Sequence, residues 1–116
     1  MRTIIDLKNE PPRSGREMLG GLAWLGRMTD KARAKHAGTL ADYVSLCPMD
    51  EAFLQRCGIA ESEYLELIAS ENDDEQIASY FERHVGPTQR EAANDWALVE
   101  KSEHLDELDE DEGRPL

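Results

Sequence analysis

Apolar residues recur along this chain at three- and four-residue intervals almost from end to end, a spacing that predicts helices. Met18, Leu22, Leu25, Met28 and Ala32 form the longest such series. It begins at Ser14-Gly15-Arg16-Glu17, a capping-box pattern with a hydroxyl at the cap and a carboxylate three residues on. Gly38 supplies the C-terminal stop, so one long helix is predicted over 14–37. Shorter elements follow. Thr39 to Leu46 reads as a brief helix ended by Pro48, and Asp50 caps a second with Phe53, Leu54 and Cys57 inward. Tyr64, Leu65 and Ile68 mark a third, and Asn72 to Glu75 opens a fourth that carries Ile77, Tyr80 and Phe81 to Gly86-Pro87. Thr88 to Glu91 repeats the capping box and starts a last helix burying Ala92, Trp96 and Val99. Thr3-Ile4-Ile5 could be extended, and Pro11-Pro12 then interrupts any regular structure.

The pattern therefore predicts an all-α, single compact domain of five or six helices, one long N-terminal helix followed by shorter ones, without significant sheet. Residues 1–13 form an extended arm, 14–105 the helical domain, and 106–116 a disordered acidic tail. The tail assignment rests on composition: residues 100–116 hold eight acids against two bases, too little apolar surface to offset chain entropy. At 116 residues one core is all the chain can build. No apolar run reaches the about 18 residues of a membrane span, and the first residues lack a secretory signal pattern. Cys47 and Cys57 suit neither a disulfide framework nor a zinc knuckle. A reduced, cytoplasmic protein without cofactor or metal is expected.

Charge divides the chain. Residues 1–38 hold eight Lys/Arg and four Asp/Glu, whereas 39–116 hold five and twenty-one. The total of −12 opposes binding to nucleic acid, and the short helices over 50–84, with ten acids and two bases, could not read a duplex. On a helical wheel, Met18, Leu22, Leu25, Thr29, Ala32 and His36 share one sector with Trp24 at its edge. Arg16, Arg27, Asp30 and Lys31 lie opposite. That side is either a solvated face held by local ion pairs or a site where cations beside an indole receive a small anion or acidic partner. Gly20, Gly21 and Gly26 each cost about 1 kcal/mol in a helix, which points to close approach of a ligand or another backbone. Self-association through Gly20, Gly21 and Trp24 is one form of that approach.

Other motifs are weaker. Gly21 to Met28 has the glycine spacing of a phosphate loop, but Arg27 replaces its lysine and Met28 its metal-binding hydroxyl. His36 and His84 read as half-buried histidines bonded to carbonyls. Cys47, followed by Pro48, could face His36 or Arg33 as a nucleophile, although a free cysteine is more often a small buried thiol.

The stretch GGLAWLGRMTDKARAKHAGTLADYVSLCPMDEAFLQRCGI resembles an uncharacterised bacterial family, domain of unknown function 5069. Its paired glycines, W-L-x-R-M-x-D-K-A-R-A core, A-G-T-L-x-x-Y, C-P-x-D and F-L-x-x-x-G-I carry the likeness, which extends from about Pro12 to Trp96. Ala60 departs from the pattern where an Asp-like cap is expected. The resemblance implies a small, all-helical, cytoplasmic bacterial domain and brings no accepted activity, cofactor or substrate. It points to Arg27, Asp30, Lys31, Arg33, Tyr43 and Asp50 as matching polar positions, either a site or a buried ion-pair framework.

With Trp24 these residues make up the candidate site. The first reading is a non-enzymatic binding or regulatory module that holds a small anion or acidic protein on the Arg/Asp/Lys side of helix 14–37. The alternative is a small enzyme with a pocket between that helix and the Tyr43–Asp50 turn, using Asp30 or Cys47. Both readings turn on whether those charges face a ligand or one another.

Overall fold

The computed structural model describes residues 6–114. The extended reading of Thr3 to Ile5 lies outside them. Six α-helices follow one another: α1 (Leu25–Ala37), α2 (Pro48–Cys57), α3 (Glu61–Ala69), α4 (Asp74–His84), α5 (Pro87–Asp95) and α6 (Ser102–Asp111). A π-helical turn over Trp96–Glu100 joins α5 to α6 in one continuous helical run. The described residues contain no strand, only an isolated bridge between Leu19 and Leu22. None of their helices is long and apolar enough to cross a membrane.

Local chemistry explains most boundaries. Gly38 and Gly58 end α1 and α2 in left-handed caps that return their amides to the preceding turn. Asp73 and Gln76 form a reciprocal capping box at α4. Pro48 and Pro87 occupy first-turn positions, where a missing N–H is tolerated. The core gathers aromatic rings from three helices. Phe81 stacks on Phe53 at 6.4 Å and meets the edge of Tyr64 at 6.1 Å. The buried Thr29 and Tyr64 hydroxyls join α1 to α3 at 2.9 Å.

Four expectations are corrected. The long helix over 14–37 begins only at Leu25, and residues 14–24 form a folded loop with left-handed backbone at Gly20, Gly21 and Trp24. Its apolar spacing is genuine but does not follow a helical face: Leu22 is buried while Met18 is half exposed. The Ser14 hydroxyl accepts from Arg16 and donates to Asp109, so it caps no helix. Thr39–Leu46 makes turns, and α2 starts at Pro48 with Asp50 inside its first turn rather than at its cap. In the last helical run Ala93 and Trp96 are buried while Ala92 and Val99 are exposed. The wide turn, closed from Lys101 N–H to Trp96 C=O, takes Val99 off the 3.6-residue face.

The fourth correction is the acidic end. Residues 106–111 continue α6, with Leu105 and Asp109 buried. Arg16 pairs with Asp106 at 2.6 Å and Ser14 reaches Asp109 at 3.0 Å, so the early basic segment neutralises the late acidic one.

Gly15 marks where these two ends meet. A Cβ there would lie 2.6 Å from Leu105 Cδ2 and 2.8 Å from the Trp24 ring. Gly15→Ala is expected to lower the unfolding free energy by about 1–3 kcal/mol through overpacking, read by urea denaturation. Unchanged stability would show that α6 is not seated against this loop.

Candidate functional site

Ten consecutive residues of α1, Leu25 to Ala34, are buried, including Arg27, Asp30, Lys31 and Arg33. A helix buried on every side is ordinarily apolar. This one is not, so each of its charges must find a partner inside the fold. The partners come from loops and helices remote in sequence, in three linked clusters.

In the first, Asp30 receives the backbone N–H of Arg13 at 2.8 Å and both its Nε and Nη2 at 3.1 and 3.0 Å. The same guanidinium reaches Asp74 at 2.9 Å, and Asp74 also accepts from Arg33 at 2.6 Å. Arg33 completes its fork on the Asn72 carbonyl at 3.0 Å. Burial would raise the Asp74 carboxyl, but hydrogen bonds from Arg33 and Arg13 outweigh it and hold the group below its ordinary value.

The second cluster gathers around Glu112. Arg27 grips both carboxylate oxygens, at 2.9 and 2.6 Å, and Tyr43 donates its hydroxyl at 3.0 Å. Arg114 adds a further hydrogen bond to Glu112 and another to the Pro12 carbonyl. Burial opposes charge on Glu112, yet the Arg27 hydrogen bond and charge prevail and hold its carboxyl low. Burial and then the Glu112 charge push the Tyr43 phenol up, which keeps it a donor.

The third cluster surrounds Asp50, which is fully buried. It accepts the Trp24 indole N–H at 2.8 Å and the Cys47 backbone N–H at 3.0 Å, and pairs with Lys31 Nζ at 3.0 Å. Lys31 also reaches Cys47 Sγ at 3.3 Å. Trp24 links the clusters, because Arg27 and Lys31 lie 5.7 and 5.5 Å from its ring centroid. Its backbone is left-handed, with φ of 73°, a conformation costing on the order of 1–3 kcal/mol. The Trp24 amide on the Gly15 carbonyl and the indole on Asp50 hold it there.

All seven candidate residues thus belong to one framework, but they face charged groups and aromatic rings of their own chain. Sequence reasoning missed Arg13, Asp74, Glu112 and Arg114. Arg13 follows two prolines, and the acids lie in runs of like charge, so nothing local distinguished them. Trp24 is buried, Gly20 packs toward Ala78 and Gly21 toward Arg90. Gly20 and Gly21 remain exposed beside these neighbours from α4 and α5. The segment with phosphate-loop glycine spacing is not helical before Leu25. The loop is irregular, but the Leu22, Ala23 and Trp24 amides are taken by Leu19, Asn94 and Gly15. His36 is exposed rather than half-buried; His84 is exposed too, with Nδ1 2.8 Å from the Tyr80 carbonyl.

A hollow of about 230 Å³ opens beside Tyr43, but its other walls are residues 7–11, Asp111 and Glu112 rather than α1. A larger groove of about 620 Å³ runs along α4, lined by Asn72, Gln76, Ser79, Tyr80 and Arg83, away from the framework.

This is an all-helical domain organised around a buried ionic helix. The chain belongs to the family described as domain of unknown function DUF5069, whose model matches residues 9–114 and so includes Arg13, Glu112 and Arg114. No curated protein matches it.

The carboxyl shifts set an acid limit. Because Asp74 and Glu112 titrate lower in the folded chain than in the unfolded one, their stabilisation is complete above their ordinary values of 3.8 and 4.5. It is lost as pH falls through the lower folded values. The melting temperature should stay level from pH 7 to about 5 and drop steadily below about 4. A melting temperature unchanged down to pH 3, or a fall already at pH 6, would contradict the pairing.

Proposed function

We propose that this protein is a non-enzymatic binding module that docks a basic partner through its acidic exterior. The carrying observation is the separation of charge. Arg13, Arg27, Lys31 and Arg33 are turned inward onto carboxylates. Outside, seventeen Asp/Glu side chains are exposed against four Lys/Arg among the described residues. A small anion or acidic partner on α1 would have to displace bidentate internal carboxylates from buried cations, at a desolvation cost few ligands could offset. The exterior needs no such displacement.

The densest acidic stretch is the run from α5 to α6, where Glu91, Asp95, Glu100, Glu103, Glu107 and Glu110 are exposed with Lys101 as the one exposed cation. Val99, 70% exposed, gives this face an apolar anchor between charged neighbours. An apolar contact ringed by carboxylates suits a basic segment with an aliphatic or aromatic side chain. Such attraction speeds encounter and weakens with salt.

A second reading, a small enzyme, has one observation in its favour: Cys47 is half-buried and its thiol touches Lys31 beside Asp50. Its proposed nucleophile is bound up with Lys31 and Asp50, which already pair with each other, so the binding reading is preferred.

The test uses the full chain and a lysine-rich peptide carrying one leucine. Glu103→Lys with Glu107→Lys should weaken binding by about tenfold or more while the circular dichroism spectrum is kept. Glu61→Lys with Glu66→Lys on α3 should leave most of it. Equal loss in both variants would reduce the interaction to net charge and remove the proposed face.

A further inference from the structure

Cys47 and Lys31 are placed to react with each other, and neither the ionic framework nor the docking face requires that. Lys31 Nζ lies 3.3 Å from Cys47 Sγ. The amine cannot swing away, because Asp50 holds it at 3.0 Å and the Trp24 ring covers it at 5.5 Å. Cys47 is equally fixed: its backbone N–H is bound by Asp50 and it stands immediately before Pro48 at the start of α2. Lys31 is only 4% exposed, whereas Cys47 is half-buried and so the more open residue of the pair.

A nucleophile and an electrophilic centre held 3–3.5 Å apart are in near-attack geometry, worth a large effective concentration. A thiol becomes electrophilic at sulfur when a peroxide oxidises it to the sulfenic acid. We propose that Cys47 and Lys31 form a reversible sulfur–nitrogen cross-link on exposure to hydrogen peroxide, making this pair a redox-sensitive modification site.

The chemistry closes with peroxide as the only co-reactant. The Cys47 sulfur attacks one peroxide oxygen; the O–O bond breaks, sulfur is oxidised by two electrons, and one water leaves. Asp50, in contact with the ammonium, receives one proton and frees the Lys31 lone pair. That lone pair attacks sulfur, the S–N bond forms and the S–O bond breaks. The departing hydroxide takes a second proton from nitrogen and leaves as water. Asp50 keeps the first proton, so the buried carboxyl is neutral once the Lys31 charge is gone. In sum, one peroxide becomes two waters and the chain loses two hydrogens.

The product ties α1 to the N-terminus of α2 and removes the Lys31 charge from the Trp24 face. A thiol reductant reverses it by attack on sulfur. Cys57 serves as the internal control, fully buried with burial pushing its thiol up to about 12.

The experiment treats the folded full-length protein with a few equivalents of hydrogen peroxide, followed by intact mass measurement and non-reducing peptide mapping. The expected result is a mass loss of two hydrogens, one peptide joining Lys31 to Cys47, and full reversal by dithiothreitol. The same treatment in denaturing urea should give no such peptide. Lys31→Arg, which keeps a cation beside Asp50, should abolish the mass loss and let Cys47 advance to the sulfinic acid. The proposal is overturned if wild-type Cys47 advances to sulfinic or sulfonic acid with Lys31 free to acylate. It is equally overturned if the link forms as well in urea, or if Lys31→Arg shows the same mass loss. The wild-type peptide map decides the question even if the variant does not fold.

Discussion

The structure depends on one constraint: the stretch of α1 from Leu25 to Ala34 carries four charged residues and is buried on all sides, and only the rest of the chain can neutralise it. Leaving one such charge unpaired would cost several kcal/mol, comparable to the whole stability of a small domain. The fold is arranged accordingly. Arg13, two prolines into the described chain, lies against Asp30 and Asp74. The C-terminal segment returns so that Glu112 meets Arg27. The loop after α1 turns to bring Asp50 under Lys31 and Trp24. Apolar burial across the core supplies most of the driving force, as in other domains, but the ionic contacts decide which segments lie beside α1.

The pairing also accounts for the chain's uneven charge. An N-terminal excess of cations and a C-terminal excess of acids look like two separate surfaces when read along the sequence. In space they interleave. Arg16 with Asp106 and Arg27 with Glu112 span most of the chain length. What remains for solvent is acid, and that remainder gives the exterior its character.

Legibility followed the range of the interactions. Elements set by local chemistry could be read: Gly38 as a stop, the acid-rich entry to α4, Pro87 after Gly86. The segment before α1 could not, because buried loops and helices both need apolar residues, and Met18, Leu22 and Leu25 fit the helical interval by coincidence. The glycines there were correctly read as a sign of close approach, but what approaches is Ala78 and Arg90 of the same chain. The acidic end was misread because composition judges a segment alone, while its cations lie in the first third of the chain. For the candidate site, the residue set was legible and its orientation was not. Periodicity places Arg27, Asp30 and Lys31 on one side of a helix, but only long-range partners decide whether that side meets water or protein.

The central claim, that the α1 cations face carboxylates of their own chain, is tested most directly by a double-mutant cycle on Arg27 and Glu112. The account predicts that Glu112→Leu, which strands the buried Arg27, destabilises the protein by about 3–5 kcal/mol in urea unfolding. Arg27→Met, which leaves Glu112 with Arg114 and Tyr43, should cost less. The double variant should be far more stable than the sum implies, since no charge is left uncompensated. Small, additive effects of roughly 0.5 kcal/mol, the size typical of exposed pairs, would contradict it and return these charges to the solvent.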